Sequence, residues 1–281
     1  MKMFKTTQEL QNFIQNYKTQ NPTNKIGLVP TMGALHNGHL SLMQKCKNEC
    51  DLSVVSIFVN PTQFGENEDF SRYPRKEEAD LSVCEKCGVD IVFMPSVAEM
   101  YPLDSNLQTK LKAPKAMADL LEGAARPGHF SGVLQVVLKL FNLTQPQRAY
   151  FGQKDAQQLL IIKKMVQDLF LPIEIIPCPI IRTQEGLALS SRNAYLSKEG
   201  KKEALKISSA LNEVSRHIMQ GEADSSKLKQ AGCRILSDLE VEYFEILNLD
   251  LQKIEKIKKD STLILIVVKI EGVRLLDNLW I

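Results

Sequence analysis

Between residues 25 and 177 the chain alternates short apolar runs with longer amphipathic stretches, and this alternation limits the fold more than any other feature. Lys25 to Pro30 (KIGLVP) reads as a short buried strand, and a Gly-containing loop over 31–37 follows it. A helix is predicted from about Gly38 to Cys50. Asp51 to Asn60 (DLSVVSIFVN), apolar and β-branched, predicts the next strand. The pattern recurs as helix 77–87, strand 89–94, helix 131–142, strand 148–151, helix 155–169 and strand 173–177. Strands that alternate with helices need crossover connections. The expected class is therefore α/β, with a Rossmann-like parallel sheet and right-handed crossovers. Ahead of it, Thr6-Thr7-Gln8-Glu9 reads as a capping box, with Leu10, Phe13, Ile14 and Tyr17 at helical spacing behind it.

The pattern changes after Pro179. Helices are predicted over 197–219 and 225–239, then strands over 241–248, 262–268 and 273–278. Helices followed by strands suggest a smaller α+β domain. The expected division is a Rossmann-like domain over 1–178 and an α+β domain over 179–281.

Composition removes several function classes. Of 281 residues, 44% are hydrophobic and 24% charged, which argues against a disordered or fibrous chain. The longest aliphatic run, Leu263 to Val268, is far short of the ~20 residues of a membrane-spanning helix. A net charge of +2 gives no reason to expect a nucleic-acid or membrane partner. The opening Met-Lys-Met-Phe-Lys-Thr-Thr-Gln turns polar too soon for an export signal, so a cytoplasmic protein with reduced thiols is expected. Cys84 and Cys87 have metal-pair spacing, and Cys46 with Cys50 would complete a four-thiolate site. Core packing is the preferred reading, because Cys46 and Cys50 share an apolar stripe with Leu42 and Met43.

The chemistry-bearing residues fall at predicted strand ends. Pro30-Thr31-Met32-Gly33-Ala34-Leu35-His36-Asn37-Gly38-His39 links the first sheet strand to its helix. A helix N-terminus there attracts phosphate, and both histidines can donate to phosphate oxygens. Asn60 and Gln63, in Phe58-Val59-Asn60-Pro61-Thr62-Gln63-Phe64, suit a neutral polar substrate, with a simple turn as the alternative. Lys154, after Gly152 and Gln153, is a point charge for phosphate. Asp155 either caps the next helix or holds a ribose hydroxyl, and Gln158 lies one turn on. Arg182, then Ser190, Ser191 and Arg192, offer hydroxyls and guanidinium groups to a triphosphate or pyrophosphate. His217, mid-helix among polar residues, reads as an ordinary surface histidine.

The blocks PTMGALHNGH, FVNPTQF, GHFSGV, FGQKDAQQ and GLALSSRN together resemble the pantothenate synthetase family, the pantoate–β-alanine ligases. The first block is similar to the HIGH motif of class I aminoacyl-tRNA synthetases, and the last to their KMSKS-type loop. The resemblance implies ATP-dependent condensation of pantoate with β-alanine through pantoyl adenylate, giving pantothenate, AMP and pyrophosphate. It implies that Met32, Gly33, Ala34, Leu35, His36, Asn37, Gly38 and His39 hold ATP, with His39 and His36 catalytic at the phosphates. Gly152, Gln153, Lys154 and Asp155 match an ATP-binding segment, with Lys154 catalytic at the phosphates and Asp155 near the ribose. Ile181 matches a position that meets adenine, and Leu189, Ser190, Ser191 and Arg192 match the phosphate-gripping loop. Gln63 and Gln158 match pantoate-binding glutamines, with Asn60 beside them. Arg126 and His129 fall in a matching segment. Mg2+ is expected to arrive with ATP, with Asp80 as an outer ligand, and a homodimer is implied. Leu189, Gln153 and Ile181 stand where the family often has Met, Glu and Val. The rival readings are another HIGH-type nucleotidyltransferase and a nucleotide-binding protein without catalysis. A segment over 182–193, hinged at Gly186, is expected to close over ATP.

Overall fold

A strand buried on both faces must be apolar along its whole length. Ile26–Thr31 (β2) and Leu52–Ile57 (β3) satisfy this, and they pair in parallel from Ile26–Leu52 to Thr31–Ile57. The computed structural model describes residues 1–65, 68, 70–102 and 107–281. In chain order the elements are β1 (Lys2–Phe4), α1 (Thr7–Gln20), β2, α2 (Asn37–Glu49), β3, α3 (Glu77–Lys86), β4 (Ile91–Phe93), α4 (Val97–Met100), α5 (Lys115–Ala118), α6 (Glu122–Ala125), α7 (His129–Thr144), β5 (Arg148–Gly152), α8 (Ala156–Asp168), β6 (Glu174–Cys178), α9 (Lys198–Met219), α10 (Ser225–Ile235), β7 (Glu240–Asn248), β8 (Thr262–Ile270) and β9 (Val273–Trp280). Short 3-10 turns occupy Pro61–Gln63 and Ser191–Tyr195.

The chain divides into two compact units. One comprises residues 1–153 and 161–178, the other 154–160 and 179–281. The first turn of α8 thus goes with the second unit, where the Asn278 side-chain amide donates to the Lys154 carbonyl at 2.8 Å.

The first unit holds a six-stranded sheet in the order β1-β4-β3-β2-β5-β6, with every pairing parallel. β1 was not foreseen from the sequence. Three residues with an exposed start carry no periodic signal, and the strand exists by pairing with β4. On one face Val29, Leu42, Met43, Val55, Ile57 and Val92 form a core that includes Cys46, Cys50, Cys84 and Cys178. Burial pushes the Cys84 thiol up to about 12, so it packs as a neutral apolar group. α1 begins at Thr6, whose side chain accepts the Glu9 N–H.

The second unit is an antiparallel sheet, β7-β8-β9, covered by α9 and α10 through Ile207, Leu211, Val214, Leu228, Phe244, Ile264 and Val268. α10 stops at Ile235, earlier than its periodicity predicts. Leu236 is fully buried, but a turn holds it, with its N–H bonded to the Cys233 carbonyl.

Candidate active site

The strand order sets where a ligand binds in the first unit. From β2 the chain winds outward through β3 and β4, and from β5 it winds the other way to β6. The reversal falls between β2 and β5, and ligands of open α/β sheets occupy the crevice beyond the carboxyl ends of the strands there. The loop after β2 carries Met32 to His36; Gly152 ends β5 and Gln153 follows it in a turn.

The β2–α2 loop is held from several sides. The Thr31 hydroxyl donates to the Ser56 carbonyl at 2.7 Å and accepts the Gly33 N–H at 3.2 Å. His36 is the N-cap of α2. Its Nδ1 accepts the Gly38 N–H at 3.1 Å, and His39 Nδ1 accepts the His36 N–H at 3.3 Å. This is a capping box made of two imidazoles, with ring centroids 4.2 Å apart. A ring nitrogen that accepts an N–H carries no proton. Each neutral ring is therefore fixed as the tautomer whose Nε2 donates. Gly38 is needed because a Cβ there would lie 2.8 Å from His36 Cε1. The first turn of α2 carries no acidic residue, so nothing opposes its attraction for an anion.

The turn after β3 presents Gln63. Asn60 is fully buried, and its Nδ2 donates to Gln63 Oε1 at 3.2 Å and to the Gly132 carbonyl at 3.1 Å. Its Oδ1 accepts from the Thr62 hydroxyl at 3.0 Å and the Tyr101 hydroxyl at 2.8 Å. The Asn60 amide is thus committed to its own surroundings, and it orients Gln63. Gln63 Nε2 also donates to Met32 Sδ at 3.0 Å. Behind Gln63, its carbonyl meets His129 Nδ1 at 2.8 Å and accepts from Arg126 Nη2 at 3.3 Å. Arg126 pairs with Glu68 through Nε and Nη2. Burial of Glu68 disfavours its charge, but Arg126 outweighs this and holds the carboxyl below its ordinary value. Glu68 and Tyr101 were missed in the sequence, because no local spacing links either to Asn60 or Gln63.

Asp80 is 3% exposed, and its two oxygens accept the Ala34 and Leu35 N–H groups at 2.9 and 2.8 Å.

In the second unit Lys154 Nζ lies 3.4 Å from Asp155 Oδ1. The Asp155 carbonyl accepts the Leu159 N–H in the first turn of α8. Gln158 is half-buried one turn on. Residues 181–189 form a hairpin, with Leu189 N–H bonded to the Ile181 carbonyl at 2.9 Å and Thr183 N–H to the Leu187 carbonyl at 2.8 Å. Arg182 does not stand free to grip phosphate, as its sequence context suggested. Its guanidinium donates to both Asp277 oxygens, 2.7 Å from Oδ1, and to the Gly186 carbonyl. The segment expected to close over ATP takes the form of a hairpin tied to β9 through Arg182, followed by a turn. There Ser190 Oγ caps the turn by accepting the Arg192 N–H, and Asn193 Nδ2 donates to the Ala188 carbonyl.

A parallel doubly wound sheet, with an imidazole-capped helix N-terminus at its switch point, defines a nucleotide-handling enzyme of the HIGH-motif type. The family model described as Pantoate-beta-alanine ligase matches residues 2–280, and the chain belongs to that family. It is 60% identical to the pantothenate synthetase of Wolinella succinogenes over 91% of this chain and 93% of that one. It is 50% identical to that of Helicobacter pylori over the full length of both. Its structure is similar to the crystal structure of Thermus thermophilus pantothenate synthetase, with a TM-score of 0.91 and 40% identity over 99% of each chain. It is also similar to the Francisella tularensis pantoate-beta-alanine ligase complexed with beta-gamma ATP and beta-alanine, with a TM-score of 0.81 and 38% identity over 100% of this chain and 97% of that one.

Proposed function

We propose that His36 and His39 are the catalytic donors of the reaction this chain performs, the ATP-dependent condensation of pantoate with β-alanine. The reaction has two steps. A pantoate carboxylate oxygen attacks the α-phosphorus of ATP, the bond to the bridging oxygen breaks, and pyrophosphate leaves. The β-alanine amine then attacks the acyl carbon of pantoyl adenylate, and AMP leaves as the amide forms.

The first step places extra charge on phosphate oxygens, and fixed donors aimed at that charge are the main lever a protein has. The observation that carries the reading is the reciprocal cap between His36 and His39, which leaves Nε2 as the donor on both rings. In this reading Met32 to His39 hold ATP through the α2 N-terminus. Gly152, Gln153, Lys154 and Asp155 contribute the second ATP segment, Lys154 as a charge at the phosphates and Asp155 at the ribose. Ile181 meets adenine by its backbone, and Leu189, Ser190, Ser191 and Arg192 grip the phosphates. Gln63 and Gln158 bind pantoate, and Asn60 serves by orienting the Gln63 amide.

Mg2+ is proposed to enter on the triphosphate, where it neutralises charge. Among the described residues no group of three or more His, Cys, Asp or Glu is arranged to hold a metal. Among the described residues no helix is long and apolar enough to cross a membrane. A cytoplasmic homodimer is proposed from the family resemblance, and sedimentation of the purified chain tests the dimer.

The test of the reaction is an assay with ATP, Mg2+, pantoate and β-alanine, omitting each in turn. Pantoate alone should support ATP–pyrophosphate exchange, and adding β-alanine should release AMP and pantothenate in equal amounts. Exchange without pantoate, or turnover without AMP, would overturn the reading.

A further inference from the structure

Asp80 sits in the first turn of α3, where an acidic residue ordinarily faces water and stabilises the helix dipole. Here it does neither in the ordinary way. The side chain is buried and reaches across to the β2–α2 loop, 45 residues away in sequence.

The loop is shaped to receive it. Gly33 and Ala34 both have positive φ, +85° and +50°. Consecutive residues near the left-handed region turn successive N–H groups to one side and make a concavity for an anion. The anion in this concavity is the Asp80 carboxylate, with Oδ2 on the Ala34 N–H and Oδ1 on the Leu35 N–H. A side chain at position 33 would meet the same carboxylate, since a Cβ on Gly33 would lie 2.8 Å from Oδ2. Left-handed backbone at a residue with a side chain is strained, and it persists only where its surroundings over-determine it. Asp80 is one such surrounding group, and the Thr31 hydroxyl on the Gly33 N–H is another. The next residue after Leu35 is His36, the N-cap whose ring accepts the Gly38 N–H and whose own backbone N–H is accepted by His39 Nδ1.

We propose that Asp80 is a positioning residue for adenylation: it clamps the backbone of Ala34 and Leu35, and so fixes where the His36–His39 pair presents its Nε2 donors. This rests on the reading that those imidazoles face the reacting phosphates. Asp80 acts through the loop and touches no substrate. Both its oxygens accept loop N–H groups.

Asp80→Asn tests it. Asn keeps the size but replaces one acceptor oxygen with an NH2 that must face a backbone N–H. Displacements of about 1 Å in a reacting array cost ~10²-fold. Pantoate-dependent ATP–pyrophosphate exchange should therefore fall about a hundredfold in kcat, well below the melting temperature, with the KM for pantoate little changed. In a cycle with the combined His36→Asn, His39→Ala variant, adding Asp80→Asn should slow the enzyme little further, because the clamp works through that pair. The histidine ring 15N signals of Asp80→Asn should move away from the pure Nε2–H pattern. Three results would overturn the inference: a kcat unchanged despite a lowered melting temperature, a loss restored by excess Mg2+, or losses that multiply in the cycle. If His39→Ala itself runs at the normal rate, the catalytic reading fails first and is identified as the failure. Wild-type protein supplies a check that needs no variant. The Ala34 and Leu35 amides should exchange with solvent as slowly as sheet amides, and fast exchange would refute the clamp.

Discussion

His39 Nδ1 accepts the backbone N–H of His36 while His36 Nδ1 accepts that of Gly38, so the two side chains proposed to act at the phosphates also begin the helix that carries them. The two roles are separable by substitution. His36→Asn keeps an N-cap acceptor, because Asn is among the best residues there, but it loses the Nε2 donor. Stability to urea should stay within about 0.5 kcal/mol, whereas exchange of pyrophosphate should fall ~10²–10³-fold, the usual cost of one preorganised donor. His39→Ala should show a comparable rate loss and also lose cap stability of about 1 kcal/mol.

Asn60 should behave as a support for Gln63. Replacing it with Ala removes one hydrogen-bond partner each from the Gly132 carbonyl, the Thr62 hydroxyl and the Tyr101 hydroxyl, and frees the Gln63 amide to rotate. The expected outcome is a raised KM for pantoate with a smaller change in the KM for ATP, and a stability loss of about 1–3 kcal/mol. Steady-state kinetics at varied pantoate, with a denaturation curve, checks both. Tyr101→Phe should give the same pattern more weakly.

Arg182 and Asp277 make a pair whose acid is 4% exposed and whose base is 30% exposed. Removing one partner of a buried pair costs about 3–5 kcal/mol, and the partial exposure of Arg182 puts Arg182→Ala toward the lower end. Asp277→Asn should cost less, because the amide still accepts from the guanidinium through its carbonyl. Thermal denaturation of the two variants against the parent decides the order.

Glu68 gives a pH dependence with a definite sign. Its folded carboxyl titrates below the ordinary value of 4.5, because Arg126 outweighs the effect of burial. The stability it contributes is fully present above 4.5 and is lost as pH falls through its lowered folded value. Glu68→Gln should lack that part of the acid sensitivity. Melting temperatures of the two proteins, taken from pH 7 to pH 3, should converge as acid is added. A constant gap would show that the pair adds nothing that titrates.

Much of this was legible in the sequence because it is local. The apolar runs of β2 and β3, the Thr6–Glu9 cap and the amphipathic faces of α9 and α10 each announce themselves within a few residues. The strand ends bearing His36, Gln63 and Lys154 were legible for the same reason. What stayed hidden depends on contacts distant in sequence. β1 has no pattern of its own, and α4, α5 and α6 are single turns of four residues each. Helix α7 starts at His129, before Ser131, because Gly128 is left-handed and re-aims the chain. The strand expected to run to Asn60 ends at Ile57, and Asn60 instead caps the Pro61–Gln63 turn. Arg182 looked like a phosphate ligand because Asp277 is 95 residues away.

Asp277 and Asn278 are neighbours on β9, and they hold different things: the first anchors the hairpin through Arg182, the second the Lys154 main chain. Successive residues of a strand point to opposite faces, so a slip of one position against β8 would misdirect both at once. Errors of pairing in this sheet should therefore yield inert molecules, not ones with altered selectivity.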